Sequence, residues 1–172
     1  MSQLVYHGAG CSVKEPLVTY GRPDLDFGQG FYVTPLRSQA ERWAQIVGLR
    51  SSQGELSLNI YELDIEYVRQ NYRCRCFEAY DQVWLNFIVQ SRQGLKPWLG
   101  YDLIEGGVAN DRVVDTVENY IAGTMPAEIA LQRLALHQPN SQMCLLNQHL
   151  IDECLHFKQC VTLNLIPKGG TE

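Results

Sequence analysis

The chain has 172 residues, enough for one domain with a real core and cramped for two. Hydrophobic residues make up 45% and charged residues 19%, and the net charge of −5 argues against a dominant nucleic-acid-binding surface. No apolar run approaches the ~20 residues needed to span a membrane. Met1 to Gly10 also lacks the basic start and apolar stretch of a secretory signal, so a cytoplasmic protein is expected.

Leu4 to His7 is short and apolar and ends at Gly8, which reads as a strand running into a loop. Residues 8 to 30 then hold Gly8, Gly10, Pro16, Gly21, Pro23, Gly28 and Gly30. That density of turn formers predicts a long irregular segment, and long loops in small domains tend to be functional. Phe31 to Thr34 is a second strand. A helix opens at Ser38, which has capping-box spacing to Glu41, and Ala40, Trp43, Ala44 and Val47 define its inward face.

Leu56, Leu58 and Ile60 alternate as a strand. Phe77, Tyr80, Trp84, Phe87 and Ile88 recur at helical spacing, predicting an amphipathic helix over 77–92. Tyr101 to Ile104 reads as a buried strand and Asp111 to Ala122 as a helix stopped by Gly123. Thr124 and Pro126 start another helix ending near His137. Met143 to Leu146 is a strand, Leu150 to Leu155 a short helix, and Val161, Leu163 and Leu165 alternate in a final strand. Strands and helices mix without a βαβ beat, so the expected class is α+β in a single domain over 1–172.

Six cysteines are scattered, and four sit within apolar patterns, as free buried thiols would. Cys74-Arg75-Cys76 is too tight for zinc spacing and has no matching pair, so no metal site is expected. Arg69, Tyr72, Arg73 and Arg75 interleave cations with an aromatic. A solvated surface is the preferred reading of that run, and contact with an acceptor such as nucleic acid the alternative.

Two clusters carry candidate chemistry. Tyr6-His7-Gly8 puts an imidazole at a strand end beside a residue that leaves room for close approach to the backbone. In Asp26-Phe27-Gly28-Gln29-Gly30-Phe31-Tyr32-Val33-Thr34, Phe31 and Tyr32 face opposite ways along a strand, so one can enter the core while the other lines a surface. A hairpin turn with two packing aromatics is the plain alternative; a flat ligand ring stacked on Tyr32 is the functional one. There is no Gly-Lys-Ser/Thr phosphate loop and no strand-linked Gly-x-Gly-x-x-Gly.

Together these segments and Gln39-Ala40-x-x-Trp43-Ala44 resemble the bacterial DUF3990 family, a branch of the ADP-ribosyltransferase superfamily. Tyr101-Asp102-Leu103-Ile104-Glu105-Gly106-Gly107-Val108-Ala109-Asn110-Asp111 is similar to a further family segment, with Gly107 where proline is usual. Asn140-Ser141-Gln142-Met143-Cys144 is similar to another. The resemblance spans about residues 3 to 158.

It implies an ADP-ribosyltransferase-like fold: split, mostly antiparallel central sheets with flanking helices. It implies NAD as co-substrate and no metal. His7 matches the residue that binds the ribose hydroxyls, Gly8 the backbone that receives the carboxamide, and Tyr32 the ring that stacks on nicotinamide. Asp26, Gly28, Gly30 and Phe31 belong to the same donor-loop match, and Arg22 and Gln29 are further candidates for the pyrophosphate and adenosine. Gln142 matches the third catalytic position, where many active relatives carry glutamate. A carboxylate there stabilises the oxocarbenium-like charge and can serve as a base; glutamine cannot take a proton. Asp111 is the alternative carboxylate, with a helix N-cap role equally open.

The function implied is mono-ADP-ribosyl transfer to a protein or nucleic-acid acceptor, in the manner of a bacterial toxin–antitoxin or defence toxin with an antitoxin partner. The alternatives are a catalytically silent NAD-binding module acting through a partner, and an NAD glycohydrolase.

Overall fold

The computed structural model describes residues 1–50, 55–109 and 113–164. The elements in chain order are β1 (Gln3–Ala9), a 3-10 turn at Val18–Tyr20, β2 (Phe31–Val33), α1 (Arg37–Arg50), β3 (Leu56–Leu63), α2 (Ile65–Asn71) and β4 (Cys74–Cys76). They continue with α3 (Gln82–Arg92), β5 (Leu103–Gly106), α4 (Val114–Ile121), α5 (Ala127–Leu134), β6 (Gln142–Leu145), α6 (Gln148–Cys154) and β7 (Leu155–Leu163). Two sheets result: an antiparallel one ordered β1-β3-β7, and one ordered β2-β6-β5-β4 that is antiparallel except for the β4–β5 pair. This is the mostly antiparallel α+β arrangement expected.

Side-chain alternation along the strands sorts the apolar residues into separate cores. In the four-stranded sheet, Phe31, Val33, Leu103, Met143 and Leu145 face one core, shared with Val5, Tyr61 and Leu63 of the other sheet. The intervening Ile104 and Cys144 face a second core with Trp84, Ile88, Val117 and Leu134 of the helices. Leu58 and Ile60 turn the opposite way from Tyr61 and pack with Ala40 of α1. One sheet thus carries α1 on its outer face, and the other carries α3, α4 and α5.

Several expectations shift. The inward face of α1 is Ala40, Ala44 and Gly48, a row of small residues at i, i+4 and i+8, while Trp43 is 49% exposed. Small residues let the helix lie close to the strands, and a Cβ at Gly48 would run into Leu56. The Ser38–Glu41 capping box is not formed: α1 already starts at Arg37, and Glu41 accepts from Arg37 Nε at 2.8 Å. The 77–92 helix begins only at Gln82, because the Asp81 side chain caps it by accepting from Trp84 N. Phe77 and Tyr80 precede it as core aromatics.

The pattern reading missed α2 and β4. α2 is seven residues long and capped by Asp64, and β4 pairs in parallel with β5. The buried strand at 101–104 lies two residues later, at Leu103–Gly106. The final strand starts at Leu155, straight out of α6. Residues 111 and 112 of the predicted 111–122 helix, and Leu165 of the final strand, lie outside the described residues.

All six cysteines are free, but only Cys144 and Cys154 are buried, while Cys11 and Cys76 are exposed. The cations of the 69–75 run are engaged locally. Arg69 pairs with Glu105 at 2.8 Å, and Arg75 sits 5.0 Å over the Phe77 ring. Arg73 forks onto Asp102, and the Tyr72 hydroxyl bonds Glu153. Asp102 also accepts from Arg73 N and Asn147 Nδ2, which explains an aspartate just before β5. Burial works against its charge, but these bonds outweigh that and hold its carboxyl below the ordinary range.

Candidate functional site: a cleft where the two sheets meet

Besides their shared core, the two sheets are joined among the described residues by a β-bridge from Tyr6 to Thr34, with both backbone hydrogen bonds made. β1 carries His7 past this bridge, so its ring lies beside β2. His7 Nδ1 sits 2.7 Å from the Tyr32 carbonyl oxygen, and its ring centroid lies 4.5 Å from that of Phe31. A carbonyl can only accept, so the bond assigns the proton to Nδ1. Burial lowers the His7 pKa, opposed in part by that hydrogen bond. His7 is therefore a neutral imidazole at pH 7 whose Nε2 is an acceptor.

Phe31 and Tyr32 face opposite ways, as the strand demands. Phe31 is buried against Tyr61 and His7. Tyr32 is half-buried, and its hydroxyl donates to the Gly28 carbonyl at 2.9 Å and accepts from Phe27 N at 3.1 Å. Burial, then the neighbouring Cys144 thiol, keeps that hydroxyl protonated well above the ordinary tyrosine range. The ring is thus held in one orientation by the loop that precedes its own strand.

Around these residues opens a cleft of about 800 Å³, within the range of small-molecule sites. His7, Gly8, Asp26, Gly30, Phe31, Tyr32 and Gln142 all line it. Gly28 does not; it takes φ +92°, and a Cβ there would drive into the Trp98 ring. Its part is to turn the loop and present its carbonyl to Tyr32. Gly8 lines the cleft, but its lack of a side chain has a packing cause: a Cβ would collide with the Ala40 carbonyl and Ala44 N of α1. Asp111 lies outside the described residues.

Gln142 opens β6, and the residue before it, Ser141, accepts from Gln39 Nε2 at 3.1 Å. That bond ties α1 to the strand that brings Gln142 to the cleft. Arg22 lines the cleft; Gln29 instead donates to the Thr19 carbonyl and is not part of the wall.

The long loop is pinned at several points. Buried Asn59 accepts from Val13 N and donates to the Cys11 carbonyl. Tyr61 OH donates to the Val13 carbonyl, and Gln148 bonds both Pro16 O and Val18 N. Asp26 accepts from Arg92 Nε at 2.8 Å and from Ala109 N at 2.7 Å. The loop between 8 and 30 is irregular in form yet braced by side chains from β3, α3 and α6 and by the Ala109 backbone, so the cleft is preformed.

Sequence reasoning missed Arg92, Asn59 and Trp43 as makers of this site. Trp43 was assigned to the core by its spacing. Arg92 ends a helix, where a cation is ordinary, and nothing local marks its pairing with a residue 66 positions earlier.

The fold and site define an α+β protein with a preformed cleft at the junction of two sheets. The sequence model of a family described as a protein of unknown function (DUF3990) matches residues 3–157. The chain belongs to that family. No curated protein and no solved structure matches it.

Proposed function

We propose that the cleft binds NAD and that the protein is an ADP-ribosyltransferase acting on a macromolecular acceptor. The observation that carries this reading is the convergence of His7, Tyr32 and Gln142 on one cleft from three different strands. The ADP-ribosyltransferase-like fold is part of the same proposal, supported by the split pair of mostly antiparallel sheets.

In this reading the neutral His7 Nε2 accepts a hydrogen bond from a ribose hydroxyl. The Tyr32 ring, fixed through its hydroxyl, stacks on the nicotinamide. Gln142 hydrogen-bonds the nicotinamide ribose. The C1′–nitrogen bond breaks, nicotinamide leaves with the bonding pair, and a nucleophilic oxygen or nitrogen of the acceptor bonds C1′ and loses its proton. Positioning of the reactants and stabilisation of the cationic transition state supply the rate. A role as the toxic member of a toxin–antitoxin or defence pair rests on the family resemblance alone.

Gln142 favours a second reading, an NAD-binding module without transfer, because an amide cannot serve as the base. Of the cleft carboxylates among the described residues, Asp26 already accepts at both oxygens, which leaves Asp24 on the exposed loop.

The test is incubation of wild type and Tyr32→Ala with adenylate-labelled NAD in a bacterial lysate, followed by protease or nuclease. Label on a macromolecule with wild type only is the expected result, and the digestions identify the acceptor class. Free ADP-ribose alone would indicate a glycohydrolase. NAD binding with neither product selects the silent module, and no NAD binding overturns the proposal.

A further inference from the structure

Arg92 has a feature that the packing of α3 does not require. Its side chain is 22% exposed, it lines the cleft, and its Nε donates to Asp26 Oδ1 at 2.8 Å. Among the described residues no hydrogen bond uses its two terminal nitrogens, and neither is a buried unpartnered atom. They therefore keep access to the cleft. A guanidinium bound through Nε still presents its outer edge, two parallel N–H groups spaced to meet two oxygens of one phosphate.

The partner of this arginine is already satisfied elsewhere. Asp26 is buried and takes Ala109 N on its second oxygen. The carboxylate is thus fixed by the Ala109 backbone N–H on one oxygen and orients the guanidinium through the other. An arginine fixed this way loses little side-chain freedom when it grips an anion. Asp26 also precedes Phe27, whose N–H bonds the Tyr32 hydroxyl, so the arginine and the tyrosine ring are braced by one short stretch of chain.

We propose that Arg92, oriented by Asp26, is the anion anchor of the cleft and grips a phosphate of the ligand through the outer edge of its guanidinium. In naming the ligand as a dinucleotide diphosphate the inference rests on the NAD reading above; the anion site itself does not.

The test titrates wild type, Arg92→Gln and Arg92→Lys by calorimetry with NAD, inorganic pyrophosphate and nicotinamide riboside, which has no phosphate. Arg92→Gln is expected to weaken NAD and pyrophosphate about ten- to hundredfold and to leave nicotinamide riboside unchanged. A merely structural arginine would weaken all three together, and that result overturns the inference. Arg92→Lys keeps a cation beside Asp26 without the fork, so pyrophosphate should weaken several-fold. Full retention by Arg92→Lys overturns forked binding even if Arg92→Gln fails to fold. NAD binding that is indifferent to Arg92 sinks this inference and spares the donor reading. Arg92-dependent pyrophosphate binding without NAD binding does the reverse. Wild type that binds no pyrophosphate overturns the anion site.

Discussion

His7 Nδ1 lies 2.7 Å from the main-chain oxygen of Tyr32, so these two cleft-lining residues are joined through the backbone of one by the side chain of the other. This contact crosses from one sheet to the other beside the Tyr6–Thr34 bridge. It fixes the imidazole tautomer and ring plane, and it leaves Nε2 as the group offered to a ligand.

The pH dependence follows from that environment. Burial lowers the pKa of folded His7 below its ordinary 6.5, so the unfolded chain takes up the proton first as pH falls. The His7 contribution to stability is therefore complete above about pH 6.5 and is lost as pH falls through the folded pKa, with a slope of at most about 1.4 kcal/mol per pH unit. Urea unfolding from pH 7.5 down to 5 should show this loss in wild type and a shallower one in His7→Gln. NAD affinity should fall over the same descent, because protonated Nε2 no longer accepts.

Tyr32→Phe separates the ring from its hydroxyl. The ring remains, but the Gly28 carbonyl and Phe27 N–H lose their partner. A cost of about 1–3 kcal/mol in chemical denaturation is expected. Ligand affinity should drop less than in Tyr32→Ala, which also removes the stacking surface. Equal affinities for the two variants would mean that the ring makes no contact.

Gly8→Ala tests the packing account of that glycine. The new methyl group meets backbone atoms of α1, which cannot swing aside as a side chain would. Destabilisation of about 1–3 kcal/mol, or more if β1 and α1 must separate, is expected from overpacking. A variant as stable as wild type would show that the helix can lift off the strand freely.

Gln142→Glu puts the missing base at the mouth of β6. If the cleft is a transferase site, nicotinamide release should rise by roughly 10²-fold, the lower range for a well-placed acid–base group. An unchanged rate with unchanged NAD affinity would place the base elsewhere or favour the silent module. Gln142→Ala should weaken NAD binding without affecting folding, since the residue is only partly buried.

Much of the local structure was legible because it has a period or a punctuation mark. Alternation exposed β3 and the end of β7, and strand geometry correctly sent Phe31 and Tyr32 to opposite faces. Glycine and proline marked the long loop, and Gly123, at φ +76°, ended α4 as expected. Short elements escaped: β4 has three residues, too few to display a pattern. Trp43 was misplaced because small residues at Ala40, Ala44 and Gly48, not the large aromatic, decide which face of α1 can approach a sheet.

The sequence by itself determined the α+β class, the glycine-rich loop and the His7 and Tyr32 candidates, since each depends on residues adjacent in the chain. Only the tertiary structure decided that His7, Tyr32 and Gln142 share a cleft, that Gly8 is small for the sake of α1, and that Arg92 reaches Asp26. The physical reason is that strand and helix periods specify which face a side chain takes. Which partner that face meets is settled by closing the sheets on a common core.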